Sequence, residues 1–514
     1  MRNEIRSIFI ILILTTFSAN ICTTGLSQQI REEKKSTLNK QELRSFEIEN
    51  FINEARVLPV EFSADLLIKI ASSGKIKNKQ TKQDLLEEAF YKASSVQSKI
   101  KRNNLPGTMV DTRTGYLGSA YRLKLDELSL KSRAIRELLT VNVVKARELF
   151  IQIPKPNLQA LNCEDLLVND VSDFYELLGV IAHQAFTPEE IKREEHLFLL
   201  QSYISNITSP AQIAPVAKMI LTFNKSPNHF AVLLSSFTRI LPKTSDDTRS
   251  FAAVAYSIVQ SVGELAKTCD DLSISNSDIS KVLRDYLIKE FSGSHCEGCL
   301  VDTEVKSLVQ DFNKILITLK QAEPVKVSLI AEEEIKSSKT EKTAKPFQFW
   351  QSVQAKSLLM KIRHLRFGSE NKQLTSEEKN SLAWQKELAD FLRDLDNWQM
   401  QSEKLEADYF HQKCVLYNGL LDLTSGVVTD KTIKVISEYV VFLRDSSMQQ
   451  DKPIEWFWHA SRVVEVVGKF QGKDAVQVQE ILTNNSGSII RAYAAMKKLE
   501  GKVETPQPEV KSVN

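Results

Sequence analysis

Glycine is scarce in this chain, at 16 of 514 residues, under half the average usage of about 7%. Glycine supplies positive-φ turns and lets backbone approach a ligand closely, so its scarcity disfavours sheet-rich folds and phosphate-cradling loops. No Walker loop, G-x-S-x-G elbow, H-E-x-x-H or G-x-G-x-x-G is present, which removes the local signatures of the common nucleotide and hydrolase sites. A charge of one sign is lacking as well. Lys and Arg number 67 against 65 Asp and Glu, for a net charge of +2. That balance supports neither a basic face for nucleic acid nor an acidic tail. The N-terminal apolar run ends at Ala19 before Asn20, shorter than the roughly 20 residues a spanning helix needs, so no stable membrane span is expected once that segment is removed. No catalytic residue, no cofactor and no metal site are assigned from these patterns.

The first 27 residues do carry a signal. Arg2 and Arg6 precede the apolar Ile8–Leu14, the run fades to Ala19, and Gly25-Leu26-Ser27 offers a small-x-small cleavage site before Gln28. The expected product is a periplasmic or secreted protein. A retained anchor and lipidation at Cys22 are less favoured, since Ile21 is bulky where a lipidation site has a small residue. Export places the chain where thiols oxidise. Five cysteines then remain, and Cys163, Cys269, Cys296 and Cys299 are disulfide candidates. In His295-Cys296-Glu297-Gly298-Cys299 a structural zinc, completed by Cys269 or Cys163, and a redox dithiol are the alternatives to a bridge.

Periodicity supports an all-α fold: an irregular stack of antiparallel helix hairpins, α-solenoid-like, followed by a helical bundle. The expected division is 1–27 signal, 28–39 polar tether, 40–322 hairpin domain, 323–346 charged linker, 347–502 bundle and 503–514 disordered tail. Pro59 separates a helix ending near Leu58 from one with Phe62, Leu66, Leu67 and Ile70 on one stripe, and Gly74 is its left-handed stop. Thr187-Pro188-Glu189-Glu190, Ser209-Pro210-Ala211-Gln212 and Ser226-Pro227 read as helix starts before segments of ordinary length, as does Thr375-Ser376-Glu377-Glu378. Further starts fit near Asp247, Ser277 and Thr303. The stripe from Trp384 through Trp398 is expected to continue as one helix toward Leu421.

Three further groups are candidates for a site. The loop from Asn103 to Ser119 gathers Asp111, Arg113 and Tyr116 with three glycines, as binding loops on rigid scaffolds do; an inter-helix turn is the plainer reading. Trp456 and Trp458 are candidate exposed aromatics, at least one of them at a rim, because neighbouring helical positions differ by about 100° and cannot share one narrow stripe; a helix buried on two sides is the plainer reading. Asp408, His411 and Cys414 have a metal-compatible spacing, although Cys414 fits a small core residue equally well.

The stretches Glu54–Asp65 and Val110–Leu117 resemble the opening of exported all-helical proteins encoded in bacterial genomes. The resemblance implies export and a helical fold, and no activity. The expected function is a non-catalytic helical scaffold, or a protein- or peptide-binding protein, of the bacterial cell envelope. The alternative is a helical hydrolase or lyase acting on envelope polymers through convergent carboxylates. A protein or peptide partner is expected and nucleic acid is not.

Overall fold

The computed structural model describes residues 46–104, 112–162, 164–244, 247–292, 302–319, 350, 352–368, 372–400, 406–425 and 429–501. The expected signal, tether, linker and tail, together with Cys163, Cys296, Cys299 and Asp111, lie outside the described residues, as does the side chain of Arg113. Residues through Val57 and residues from Leu58 onward form two units. In the first, helix α1 (46–56) buries Phe51, Ile52 and Ala55.

Among the described residues the second unit is all-α apart from one pair of three-residue strands. Its first helices are α2 (Val60–Ser72) and α3 (Lys79–Ala93), followed by strand β1 (Arg102–Asn104), α4 (Arg113–Ala120), α5 (Glu127–Leu138) and α6 (Val143–Ile151). Strand β2 (Leu167–Asn169) leads into α7 (Ser172–Gln184), α8 (Pro188–Lys192), α9 (Glu195–Ile204), α10 (Ile213–Leu221) and α11 (Pro227–Ile240). Three longer helices follow, α12 (Thr248–Asp271), α13 (Ser277–Ser292) and α14 (Asp302–Leu319). The C-terminal part contains α15 (Val353–Phe367), α16 (Ser376–Asn380), α17 (Leu382–Asp396), α18 (Glu406–Thr424) and α19 (Thr429–Arg444). It ends with α20 (Met448–Asp451), α21 (Pro453–Val467), α22 (Gly472–Asn485) and α23 (Ser488–Gly501). Among the described residues no helix is long and apolar enough to cross a membrane.

Local chemistry explains most starts. Asn78, Thr112, Asp126, Asn142 and Asp247 each accept a backbone N–H of the first turn they precede, the bond that satisfies an otherwise orphaned helix donor. Thr187–Glu190 and Thr375–Glu378 form reciprocal capping boxes. Gly74 takes a φ of +71° after α2, the left-handed region glycine tolerates. Helix lengths depart from expectation. The box at Thr187 opens only Pro188–Lys192, because Glu194 turns left-handed before α9. The helix expected from Trp384 toward Leu421 is two helices, α17 and α18. The carbonyl of Trp398 between them accepts Tyr409 Oη at 2.8 Å and Lys413 Nζ at 3.1 Å.

Neighbouring helices pair in chain order, as α2 with α3, α10 with α11 and α18 with α19 do, but α2 also packs on α23, and α4 on α18 and α21. A solenoid's repeats touch only their neighbours, so these long-range pairings are of another kind. They join helices from either side of the expected linker. At this seam Asp65 of α2 is buried, pairing with Lys69 at 2.7 Å and Arg133 of α5 at 2.6 Å. It also accepts the Tyr493 hydroxyl of α23 at 2.5 Å. Burial alone would raise the Asp65 pKa, but the charges of Lys69 and Arg133 hold it below the ordinary value. Phe62 and Tyr493 flank the Phe457 ring of α21, with centroids at 5.0 and 4.3 Å.

Candidate functional site

The strand pair sets one wall of a cavity among the described residues. Antiparallel pairing places Arg102 opposite Asn169, Asn103 opposite Val168 and Asn104 opposite Leu167. An ionic clamp closes its end. Lys101 Nζ lies 3.1 Å from Asp170 and 2.9 Å from Asp173, which Lys124 also meets at 2.9 Å. Asp170 further accepts the Asn103 side-chain amide at 2.9 Å and the Ser172 backbone N–H at 2.9 Å. Burial works against its ionisation, yet Lys101 and the Ser172 bonds keep its pKa below the ordinary value.

Beside this clamp, α7, α10 and α12 leave a cleft of about 540 Å³, within the range of small-ligand sites. Its floor is apolar and of small relief: Ala211, Ala214, Pro215, Met219, Ala253 and Val254. Its rim is polar, with Asn103, Asn169, Asp170, Glu176, Lys218 and Ser257. Small side chains at Ala214 and Ala253 create the space, since larger ones on facing helices would interdigitate and close it.

Two carboxylates line the cleft and both are engaged. Asp170 is clamped as above, and Glu176 lies 3.1 Å from Arg136. A glycosidase-type general acid needs a carboxyl held protonated by its surroundings, whereas Asp170 is held ionised. Thr222 also lines the cleft, and His183 Nε2 lies 3.0 Å from its Oγ1. That hydroxyl donates to the Met219 carbonyl at 2.7 Å, so His183 donates into Oγ1 and does not act as a base toward it. Burial lowers the His183 pKa, and the ring stacks on Phe223 at 4.1 Å.

A second polar centre is enclosed by α4, α18 and α21. His411 Nδ1 lies 2.9 Å from His459 Nε2, His411 Nε2 lies 3.0 Å from Glu455 Oε2, and Asn418 Nδ2 lies 3.3 Å from His459 Nδ1. With both rings neutral the donors run one way: Asn418 to His459, His459 to His411, His411 to the Glu455 carboxylate. Both histidines are fully buried. Burial, reinforced by the His411 ring, holds the His459 pKa well below its ordinary value. Their facing nitrogens bond each other and do not converge on a shared point. Among the described residues no group of three His, Cys, Asp or Glu side chains is placed to hold a metal ion.

The residues singled out in the sequence divide between these places. Tyr116 is buried, with its ring stacked on His411 at 5.1 Å. Trp458 is half-buried, 4.6 Å from the His459 ring and 5.6 Å from Tyr116. Trp456 is not an exposed aromatic: it is fully buried, and its indole N–H donates to the Leu443 carbonyl at 2.9 Å. A ring that finds an internal acceptor loses its reason to reach water. Cys269 is likewise not a bridge partner. It is a free, buried thiol on α12, with its pKa pushed up to about 11 by burial and by Asp270. Cys414 is also free and buried, one helical turn from His411.

The cleft residues went unread in the sequence. Lys218 and Asn169 look like ordinary surface residues until β2 and α10 are brought together, and the only local hint was the run of small residues on α10. His459 was missed as the partner of His411 because the two are 48 positions apart. Comparison with protein-family models, with curated proteins and with solved structures returned no match.

Proposed function

We propose that this is a non-catalytic binding protein of the bacterial cell envelope that holds a peptide segment of a partner protein in the cleft between α7, α10 and α12. The observation that carries this reading is the cleft's construction, an apolar floor of small side chains under a polar rim whose carboxylates are already paired. Such a surface buries apolar area and supplies orienting polar groups, the general form of a recognition site. Export rests on the N-terminal 27 residues, and mass spectrometry of the mature protein should find Gln28 as its first residue.

The binding reading is tested by selecting peptides from a random display library on the purified protein, then repeating the measurement with Ala253→Trp, which fills the cleft from a half-buried position. Selected peptides should bind the wild type and lose affinity for the variant while its melting temperature stays close to wild type. Binding that survives Ala253→Trp, or a selection that enriches nothing, overturns the proposal.

A further inference from the structure

The charges around the cleft are unevenly spent. Asp170 is committed to Lys101, and Glu176 to Arg136. Lys218, exposed on α10, forms no ion pair or hydrogen bond among the described residues, and neither does the side chain of Asn169 or Ser257. These three groups come from α10, β2 and α12 and line one cavity. Lys218 sits in the last turn of α10, where the helix dipole favours a cation, but that preference does not require the side chain to line a cleft. Its uncommitted donors therefore include an ammonium, an amide and a hydroxyl, beside the unpartnered side-chain oxygen of Asn104, and its one uncommitted charge among the described residues is positive.

From this we infer that the cleft selects a carboxylate, carried by an acidic peptide segment with small apolar residues beside the acid. The inference rests on the cleft being the peptide site proposed above. A carboxylate is acceptor-only, with oxygens enough for the three donors, and its single negative charge matches Lys218. A phosphate dianion fits less well, because one ammonium leaves it half-neutralised beside the carboxylates of Asp170 and Glu176. Nucleic acid fits least. It presents many phosphates, and no aromatic ring lines the described cleft for a base to stack on. The apolar neighbours are matched to the apolar lining that Ala214, Ala253 and Val254 supply.

Fluorescein-labelled Ala-Val-Glu-Val-Ala with an amidated C-terminus, its Glu→Gln counterpart, and Ala-Val-Ala-Val-Ala with a free C-terminus separate the sources of the carboxylate. Fluorescence anisotropy is measured on the wild type, Lys218→Gln, Lys218→Arg and Ala253→Trp. The wild type should prefer an acid-bearing peptide to the Gln peptide by about tenfold or more, the scale of one charge-assisted hydrogen bond. Lys218→Gln should remove that preference, Lys218→Arg should restore most of it, and added salt should reduce it. Preference for the free C-terminus over the internal Glu would assign the carboxylate to a chain end. Binding that Ala253→Trp abolishes, with no Glu-over-Gln preference or one unchanged in Lys218→Gln, overturns the acid selection and leaves the cleft reading standing. Absence of binding, or binding indifferent to Ala253→Trp, overturns both.

Discussion

Around the histidine pair each ring nitrogen has a partner inside the fold, whereas along the cleft Lys218, Asn169 and Ser257 have none among the described residues. The pair holds the denser titratable chemistry, yet its groups are spent on one another and shielded by Tyr116 and Trp458. A buried polar chain of this kind sets the register of the helices it joins, because a slip would leave desolvated groups unpaired. The cleft is the reverse case. Its polar groups are ordinary, but they stay solvated over an apolar floor, and a ligand that replaces that water gains both kinds of contact. Here the mutually bonded groups make a structural centre, and the uncommitted ones line the cleft proposed as the binding site.

The largest way to break the contrast is to break the pair. His459→Ala removes a fully buried ring and strands His411 Nδ1 and the Asn418 amide, and should cost about 3–4 kcal/mol of unfolding free energy. Denaturant titration checks this, and a loss under 1 kcal/mol would mean the chain of bonds holds nothing in place. A smaller effect is expected at the junction of the two regions. A Cβ on Gly118 of α4 would lie 2.1 Å from Asn104 Oδ1, so Gly118→Ala must displace a side chain that lines the cleft. Overpacking of this type costs about 1–3 kcal/mol, and peptide affinity should fall with it while the His459 environment, followed by NMR, is kept.

Acid should separate the regions further. The pKa values of His459, His196 and His183 are all lowered, by burial first in each case. Unfolded, these rings take up protons near pH 6.5, and folded they do so only at lower pH. Their contribution is complete above about pH 6.5 and is lost as the pH falls toward their folded values. Asp65, Asp170 and Asp173, whose pKa values are lowered, act in a more acid range, below their unfolded values near 4. Melting temperature should therefore begin to fall below about pH 6.5. His459→Gln should flatten that fall between roughly pH 6.5 and 5; an unchanged slope would assign it to other groups. The smallest effect is expected at Lys218. Its replacement by Gln should move stability by no more than about 0.5 kcal/mol, so that any change in binding reports the cleft alone.

Helix starts were legible because they are local. A capping hydroxyl and a glutamate three residues on need only each other, and Thr187 and Thr375 bond as their spacing requires. Apolar stripes were legible for the same reason, with Phe62, Leu66, Leu67 and Ile70 buried as read. Where a helix ends was less so. No glycine or proline lies between Asp396 and Glu406, and the stop shows in the cap at Asn397 and in the bonds that Tyr409 and Lys413 return to the Trp398 carbonyl. Three-residue strands lie below what alternation can signal, so β1 and β2 were invisible although they build a wall of the cleft.

The sequence by itself determined the all-α class, the helix starts and the absence of local catalytic signatures, since each depends on residues a few positions apart. Only the tertiary structure decided that Trp456 is core, that Cys269 stays a free thiol, that His411 is spent on His459, and that Lys218 lines a cleft while pairing with no carboxylate among the described residues. The physical reason is shared: burial, ion pairing and cavity shape are properties of surfaces brought together from distant parts of the chain, and no residue carries them alone.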